Sequence, residues 1–341
     1  MSLSTAMFRE AAESSAVVAR QIAANAIDLV RLGATLRDLN PRAVVTCARG
    51  SSDHAATYAK YLIEAYTKTV TSSGAPSLSS VYDASPDLRG VLFIAISQSG
   101  QSPDLLAAVD HAKQCGAFVL ALCNSPRSPL ANSADALVPL HAGPEHSVAA
   151  TKSFIASLSA IVHVLASWTQ ERTLANELLR APELLSLAWE CDWQPALEPL
   201  IDAVNLYVIG RGYGLGVAQE AALKFKETCA LHAEAFSSAE VKHGPMALVK
   251  EGFPVLMLSQ DDETRVGMEV LAAEFVSRKA RVLLAGLNSA GASTLPTIRA
   301  HAVIEPMLII QSFYRFANAV ALARGLDPDR PPHLNKVTET V

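Results

Sequence analysis

The chain has 341 residues, half of them hydrophobic and 18% charged, and a formal net charge of −5. That length suits two domains, and the hydrophobic share excludes a disordered chain. The mild acidity lacks the basic stripe of a nucleic-acid binder, so an anionic ligand must be held by local dipoles and a few cations.

In chain order, the opening MSLSTAMFREAAESSAVVARQ carries Arg and Glu where a secretory signal needs an unbroken apolar stretch. Apolar residues at helical spacing (Val17, Val18, Ile22, Ile27, Leu29, Val30, Leu36) predict helix over residues 1–40. Short β-branched runs then predict strands at Ala43–Thr46, Val91–Ile96, Phe118–Leu122 and Ala136–Leu140. Helices are expected between and after them at Asp53–Ala65, Pro103–Gln114 and Thr151–Trp168. After a proline- and acid-bearing join at Ala181–Pro199 the pattern returns, with strands at Leu206–Ile209, Pro254–Leu258, Arg281–Ala285 and Ala302–Ile304. Its helices are Ala218–Thr228, Thr264–Arg278 and Met307–Arg324. Gln311, Arg315 and Asn318 interrupt that last apolar segment, which reads as a buried helix and not as a membrane span. The five cysteines, Cys47, Cys115, Cys123, Cys191 and Cys229, form no CxxC pair and read as reduced thiols of a cytoplasmic protein.

Both halves open with strand, glycine-bearing turn and helix: VVTCARGSSDHA beside LYVIGRGYGLGVAQEA. Strands alternating with helices imply parallel sheets covered on both faces. The expected fold class is therefore α/β, with two doubly wound, flavodoxin-like lobes related by duplication. The segments are an N-terminal helical piece at 1–40, a first lobe at 41–180, a second at 195–326 and a tail at 327–341. One large mixed domain is the alternative. In such sheets ligands sit beyond the carboxyl ends of the strands.

The turn after the second predicted strand is dense in polar groups. Ser97, Gln98, Ser99, Gly100, Gln101 and Ser102 follow a wholly apolar run, and Pro103 starts a helix for which Ser102 is placed as N-cap. Hydroxyls and free N–H groups converging on a positive helix end form an anion site, most often for phosphate. Gly50, Ser51 and Ser52 make a similar turn. Serines that merely cap helices are the plainer account. The equivalent turn of the second half, Ser259-Gln260-Asp261-Asp262, has two carboxylates that would repel phosphate, which assigns that group to the first lobe.

Glu220, Lys224 and Glu227 fall on one helical face. They read either as acid–base machinery with shifted pKa values or as a solvated ion pair. His243 precedes Gly244-Pro245 in an irregular loop and is either structural or a proton-transfer group. The tail DPDRPPHLNKVTETV has no period, and it is either a disordered end or a flap that delivers Lys336.

CARGSSDHA, ISQSGQSPD, EHSVAATKSF, EAALKFKE, AEAFSSAEVKHGP and PPHLNKVT, taken together, resemble the SIS (sugar isomerase) family. Within it they are similar to the isomerase half of glutamine–fructose-6-phosphate amidotransferase. The resemblance implies a phosphate cradle of Ser52, Ser97, Gln98, Ser99 and Ser102, and a sugar-facing backbone at Val148. It implies Glu227 as the base that moves a proton between C1 and C2. It implies His243 as the ring-opening residue, reaching in from the partner subunit of a homodimer. Lys336 would be the tail lysine able to form an imine with the open ketose, and Glu220 and Lys224 would support the site. No glutaminase segment with an N-terminal Cys precedes these motifs, and LNKVTETV lacks one residue of the synthase pattern between Lys and Val. Such tails resemble those of stand-alone amino-sugar-phosphate deaminases and deglycases.

The function so implied is conversion of glucosamine 6-phosphate to fructose 6-phosphate and ammonia. Alternatives are a fructosyl-amine 6-phosphate deglycase, a galactosamine 6-phosphate enzyme and, from another class, a non-catalytic sugar-phosphate sensor. No cofactor or metal is expected, since no His/Cys/Asp cluster has ligand spacing. The expected partner is a small phosphosugar, with neither nucleic acid nor membrane.

Overall fold

The computed structural model describes residues 5–82, 84–334 and 336. They form two compact units, one of residues 16–82, 84–145, 152–179 and 336, the other of residues 5–15, 146–151 and 180–334. The chain opens with helices α1 (Ala6–Ala12) and α2 (Ser14–Leu39).

The first unit continues through β1 (Ala43–Cys47), α3 (Ser51–Thr67), β2 (Thr71–Ser73), α4 (Ser77–Ser80) and β3 (Val91–Ser97). Then follow α5 (Pro103–Gln114), β4 (Phe118–Cys123), α6 (Pro129–Ser133), β5 (Ala136–Pro139) and α7 (Lys152–Thr169). The strands pair in parallel in the order β2-β1-β3-β4-β5. Every residue of β3 is buried, which is why it reads as a continuous apolar run and not as an alternating one. Helix α7 is buried along almost its whole length, Ser153, Ser157 and Ser159 included. Gln21 on α2 ties that helix down by donating to the carbonyls of Leu140 and Ala156, at 3.0 and 2.9 Å.

The other unit carries β6 (Asn205–Gly210), α10 (Leu215–Cys229), β7 (His232–Ser237), β8 (Pro254–Leu258), α11 (Arg265–Ser277), β9 (Arg281–Ala285), β10 (Ser293–Leu295) and α12 (Glu305–Ala323). Before them come α8 (Arg172–Trp189), of which residues 180–189 belong to this unit, and the single turn α9 (Glu198–Ile201). This sheet is parallel as well, in the order β7-β6-β8-β9-β10. The two orders are the same, which is what duplication requires. Helix α1 belongs here: Asp329 accepts from the backbone N–H of Ala6 and Met7 at 2.6 and 2.7 Å, and Thr5 donates to Asn318 at 2.6 Å.

Two sequence expectations need correction. Ala302–Ile304 is not a strand; it bends into the start of α12, where the Ile304 N–H donates to the His301 carbonyl at 2.7 Å and the Val303 N–H to its ring at 3.2 Å. Three apolar residues look alike in a strand and in a buried turn. Residues 181–189 of the expected join are helical, because α8 runs through Pro182.

His163 on α7 is pushed down to about 4 by burial, and its Nδ1 has no hydrogen-bond partner among the described residues. A histidine depressed in the folded state stays neutral while its unfolded counterpart takes up a proton below its ordinary value of 6.5. Stability should therefore fall as pH drops from 6.5 towards 4. The expected contribution is about 2 kcal/mol between pH 7.5 and 5, read by urea unfolding and absent in His163→Gln.

Candidate active site

Each sheet has one place where the connections leave its strands in opposite directions: between β1 and β3, and between β6 and β8. In open α/β sheets ligands sit at that point, beyond the strand ends.

In the first unit both serine-bearing turns meet at this point. Gly50, with φ of 55°, precedes Ser51 and Ser52 in the first turn of α3. Ser97 to Ser102 link β3 to α5. Arg49 joins the two turns: its Nε and Nη2 each lie 2.8 Å from Oδ2 of Asp104, a buried residue in the first turn of α5. The polar turn holds its own shape. The Gly100 N–H donates to Ser97 Oγ at 2.9 Å and the Gln101 N–H to Ser99 Oγ at 3.3 Å. Gly100 has φ of 64°, and a Cβ there would lie 2.2 Å from Ser128 Oγ. No side chain fits at that position, because both the conformation and the space forbid one. Ser102 occupies the N-cap position, as expected, and its hydroxyl makes no capping bond. Gln98, Ser99 and Ser102 are half-buried and border the end of α5, while Ser97 is buried. Burial raises the pKa of Asp53, in the first turn of α3, against the lowering effect of His54 and Arg49.

In the second unit the chain's own side chains bridge the corresponding segments after β6 and β8. Gln260 Nε2 donates to the Arg211 carbonyl at 2.9 Å and to Asp262 at 2.7 Å, and Asp262 caps the N–H of Thr264 at 2.9 Å. Among the described residues, chemistry in this unit is concentrated on α10. Glu220 and Lys224 have no solvent exposure, and Lys224 Nζ lies 3.4 Å from Glu220 Oε1. Lys224 also donates to Glu227 Oε2. The hydroxyl of Tyr314, on α12, donates to Glu220 Oε1 at 3.2 Å. The spacing of Glu220 and Lys224 equally fits a surface pair; the covering helix α12 makes it a buried one. Burial drives the Lys224 ammonium towards neutrality, but Glu220 and Glu227 outweigh this and hold its pKa above the usual lysine value.

Glu227 keeps 20% exposure, the most open of the three. It borders a cavity of about 530 Å³ whose lining also includes Asp327, Arg330 and Leu334 of the tail. Lys226 lines the cavity too. A carboxylate held at one oxygen by a buried ammonium and open to a cavity can take and return a proton.

His243 follows a short turn in which its N–H donates to the Glu240 carbonyl at 2.9 Å; its side chain is exposed. Gly244 beside it has φ of 139°. Val148 lies in the irregular segment before α7. Lys336 lies 3.4 Å from Glu145, in the first unit. Three residues with a place beside these groups went unread in the sequence: Arg49, Tyr314 and Glu145. An arginine inside a Gly-Ser turn after a buried strand was a usable signal for the first. Tyr314 sits in an apolar helix, and Glu145 meets its lysine 191 positions away, so neither carried a local signal.

The SIS domain family model matches residues 39–167 and 199–304. The glutamine–fructose-6-phosphate aminotransferase (isomerizing) of Thermotoga maritima is 34% identical over 309 residues, covering 86% of this chain and 50% of that one. The enzyme of the same name from Mycobacterium tuberculosis is 32% identical over 366 residues, covering 97% and 57%. The chain thus spans about half the length of the curated relatives it matches. Among solved structures, a Silicibacter pomeroyi chain named as a phosphosugar isomerase superposes with a TM-score of 0.92 at 42% identity, covering 96% of this chain and all of that one. The C-terminal domain of the Francisella tularensis glucosamine-fructose-6-phosphate aminotransferase gives 0.87 at 27%, covering 96% and 98%. The glucosamine-6-phosphate deaminase of Thermotoga maritima shares the fold, at 0.79 and 22%, covering 98% and 100%.

Proposed function

Because the chain belongs to the SIS domain family, we propose that it acts on a phosphorylated amino sugar, converting glucosamine 6-phosphate to fructose 6-phosphate and ammonia. The observation that carries this reading is the row on α10: two buried charges, Glu220 and Lys224, backing a partly open Glu227 at a cavity. A sensor needs pocket walls. A buried ammonium held between two carboxylates costs several kcal/mol in desolvation and is better accounted for by proton transfer.

In this reading Ser52, Ser97, Gln98, Ser99 and Ser102, with the N-termini of α3 and α5, take the phosphate. His243 transfers the proton that opens the pyranose. Glu227 removes the C2 proton of the open aminoaldose and returns a proton to C1, which leaves an imine at C2. Water adds to that carbon, and ammonia leaves. The exposure of His243 fits the family's shared sites, so a homodimer is part of the proposal.

The direct test is ammonia release from glucosamine 6-phosphate, monitored together with fructose 6-phosphate. Amine release from fructosyl-amine 6-phosphates alone would replace this reading with the deglycase one. Ser99→Ala checks the cradle. Loss of one hydroxyl bonded to a charged phosphate is expected to raise KM about tenfold, with the fold unchanged. An unaltered KM would remove Ser99 from the cradle.

A further inference from the structure

We propose that Glu145 is a positioning residue for the tail lysine, its buried carboxylate holding the amino group of Lys336. The inference deepens the reading above, because it rests on Lys336 serving the sugar site.

The Glu145 side chain has no solvent exposure, whereas Lys336 keeps 26%. Nζ of Lys336 lies 3.4 Å from Glu145 Oε2. The same carboxylate is oriented by Ser153, whose hydroxyl donates to Oε2 at 2.6 Å and whose N–H donates to Oε1 at 3.2 Å. That N–H belongs to the first turn of α7, one of the donors a helix leaves without an internal partner. A carboxylate fixed by two donors at a helix N-terminus has a set direction, and its charge is costly to bury without a cation nearby. Lys336 supplies such a cation. Of the tail residues before it, Pro328 and Pro331 are buried, while Asp327, Asp329, Arg330 and residues 332–334 are half-buried or exposed.

Trypsin reads this hold directly, because it cuts after a lysine only when the side chain is free to enter the protease. Cleavage after Lys336 creates a new N-terminus beginning VTETV, which mass spectrometry detects. In Glu145→Gln, which preserves an acceptor for Ser153, that cut is expected to run about tenfold faster than in the wild-type chain, with the cut at exposed Lys279 unchanged. Equal rates at Lys336 in the two folded proteins would overturn the proposal. A second measurement uses the wild-type chain and so does not depend on the variant folding. Amine-reactive labelling of Lys336 should be about fivefold slower than that of exposed Lys250, and equal labelling would overturn the hold. Activity separates this inference from the reading beneath it. If Lys336 serves the site, Glu145→Gln and Lys336→Met each lower kcat for ammonia release, and the double variant loses no more than Lys336→Met alone. Full turnover by Lys336→Met would overturn the catalytic use of the lysine, while a faster tryptic cut in Glu145→Gln would still support the hold.

Discussion

Glu227→Gln is expected to lower kcat for ammonia release by about a thousandfold, the range lost when a positioned general base is removed. The amide keeps the shape of the side chain and still offers an oxygen to Lys224, so the fold should survive. KM for the sugar phosphate should change little, because the proposed cradle lies on β1, β3 and the helices that follow them. A variant with normal turnover would remove Glu227 from the chemistry. The same variant tests the shared site. Mixed with inactive His243→Ala, it should recover about a quarter of wild-type activity, since half of the randomly formed dimers are hybrids and each hybrid has one intact site. No recovery would place both groups in one subunit's site.

Lys224→Met is expected to cost about 3–5 kcal/mol of stability together with nearly all activity, as for a buried ion pair that loses one partner. Glu220 has no exposure and would face Glu227 with no ammonium between them. The Tyr314 hydroxyl, at 3.2 Å, would still donate to Glu220 but carries no positive charge. The pKa of Lys224 is raised in the folded state, so its stabilising effect is complete below the ordinary lysine value and fades only as pH rises through the folded one. Urea unfolding at pH 7 therefore reads the full difference. Adding Glu220→Gln should recover part of the stability, since it removes the uncompensated charge, but not the activity. A Lys224→Met protein as stable as the wild type would show that the ion pair is not a structural element of α10.

Much of the fold was legible because central parallel strands are buried on both faces. The run at β3 and the helix Pro103–Gln114 stand out for that reason, and the change from apolar to polar at Ser97 marks the turn between them. The strands that went unread, β2, β7 and β10, all lie at sheet edges. An edge strand needs few apolar residues, as the exposed or half-buried positions of β7 show, and its pairing partner defines it.

The amino-acid sequence by itself determined the α/β class, the duplicated order of strands and helices, and the polar turns at the strand ends. These depend on periodicity and on neighbours in the chain, which a sequence states directly. Only the tertiary structure decided that Glu220 and Lys224 are buried, because α12 covers them from nearly a hundred positions away and i,i+4 spacing is the same on a wet face. It likewise decided that Arg49 meets Asp104 and that Lys336 meets Glu145, 55 and 191 positions apart. Side-chain charge is written in the sequence; the environment that gives the charge its effect is built from residues remote along the chain.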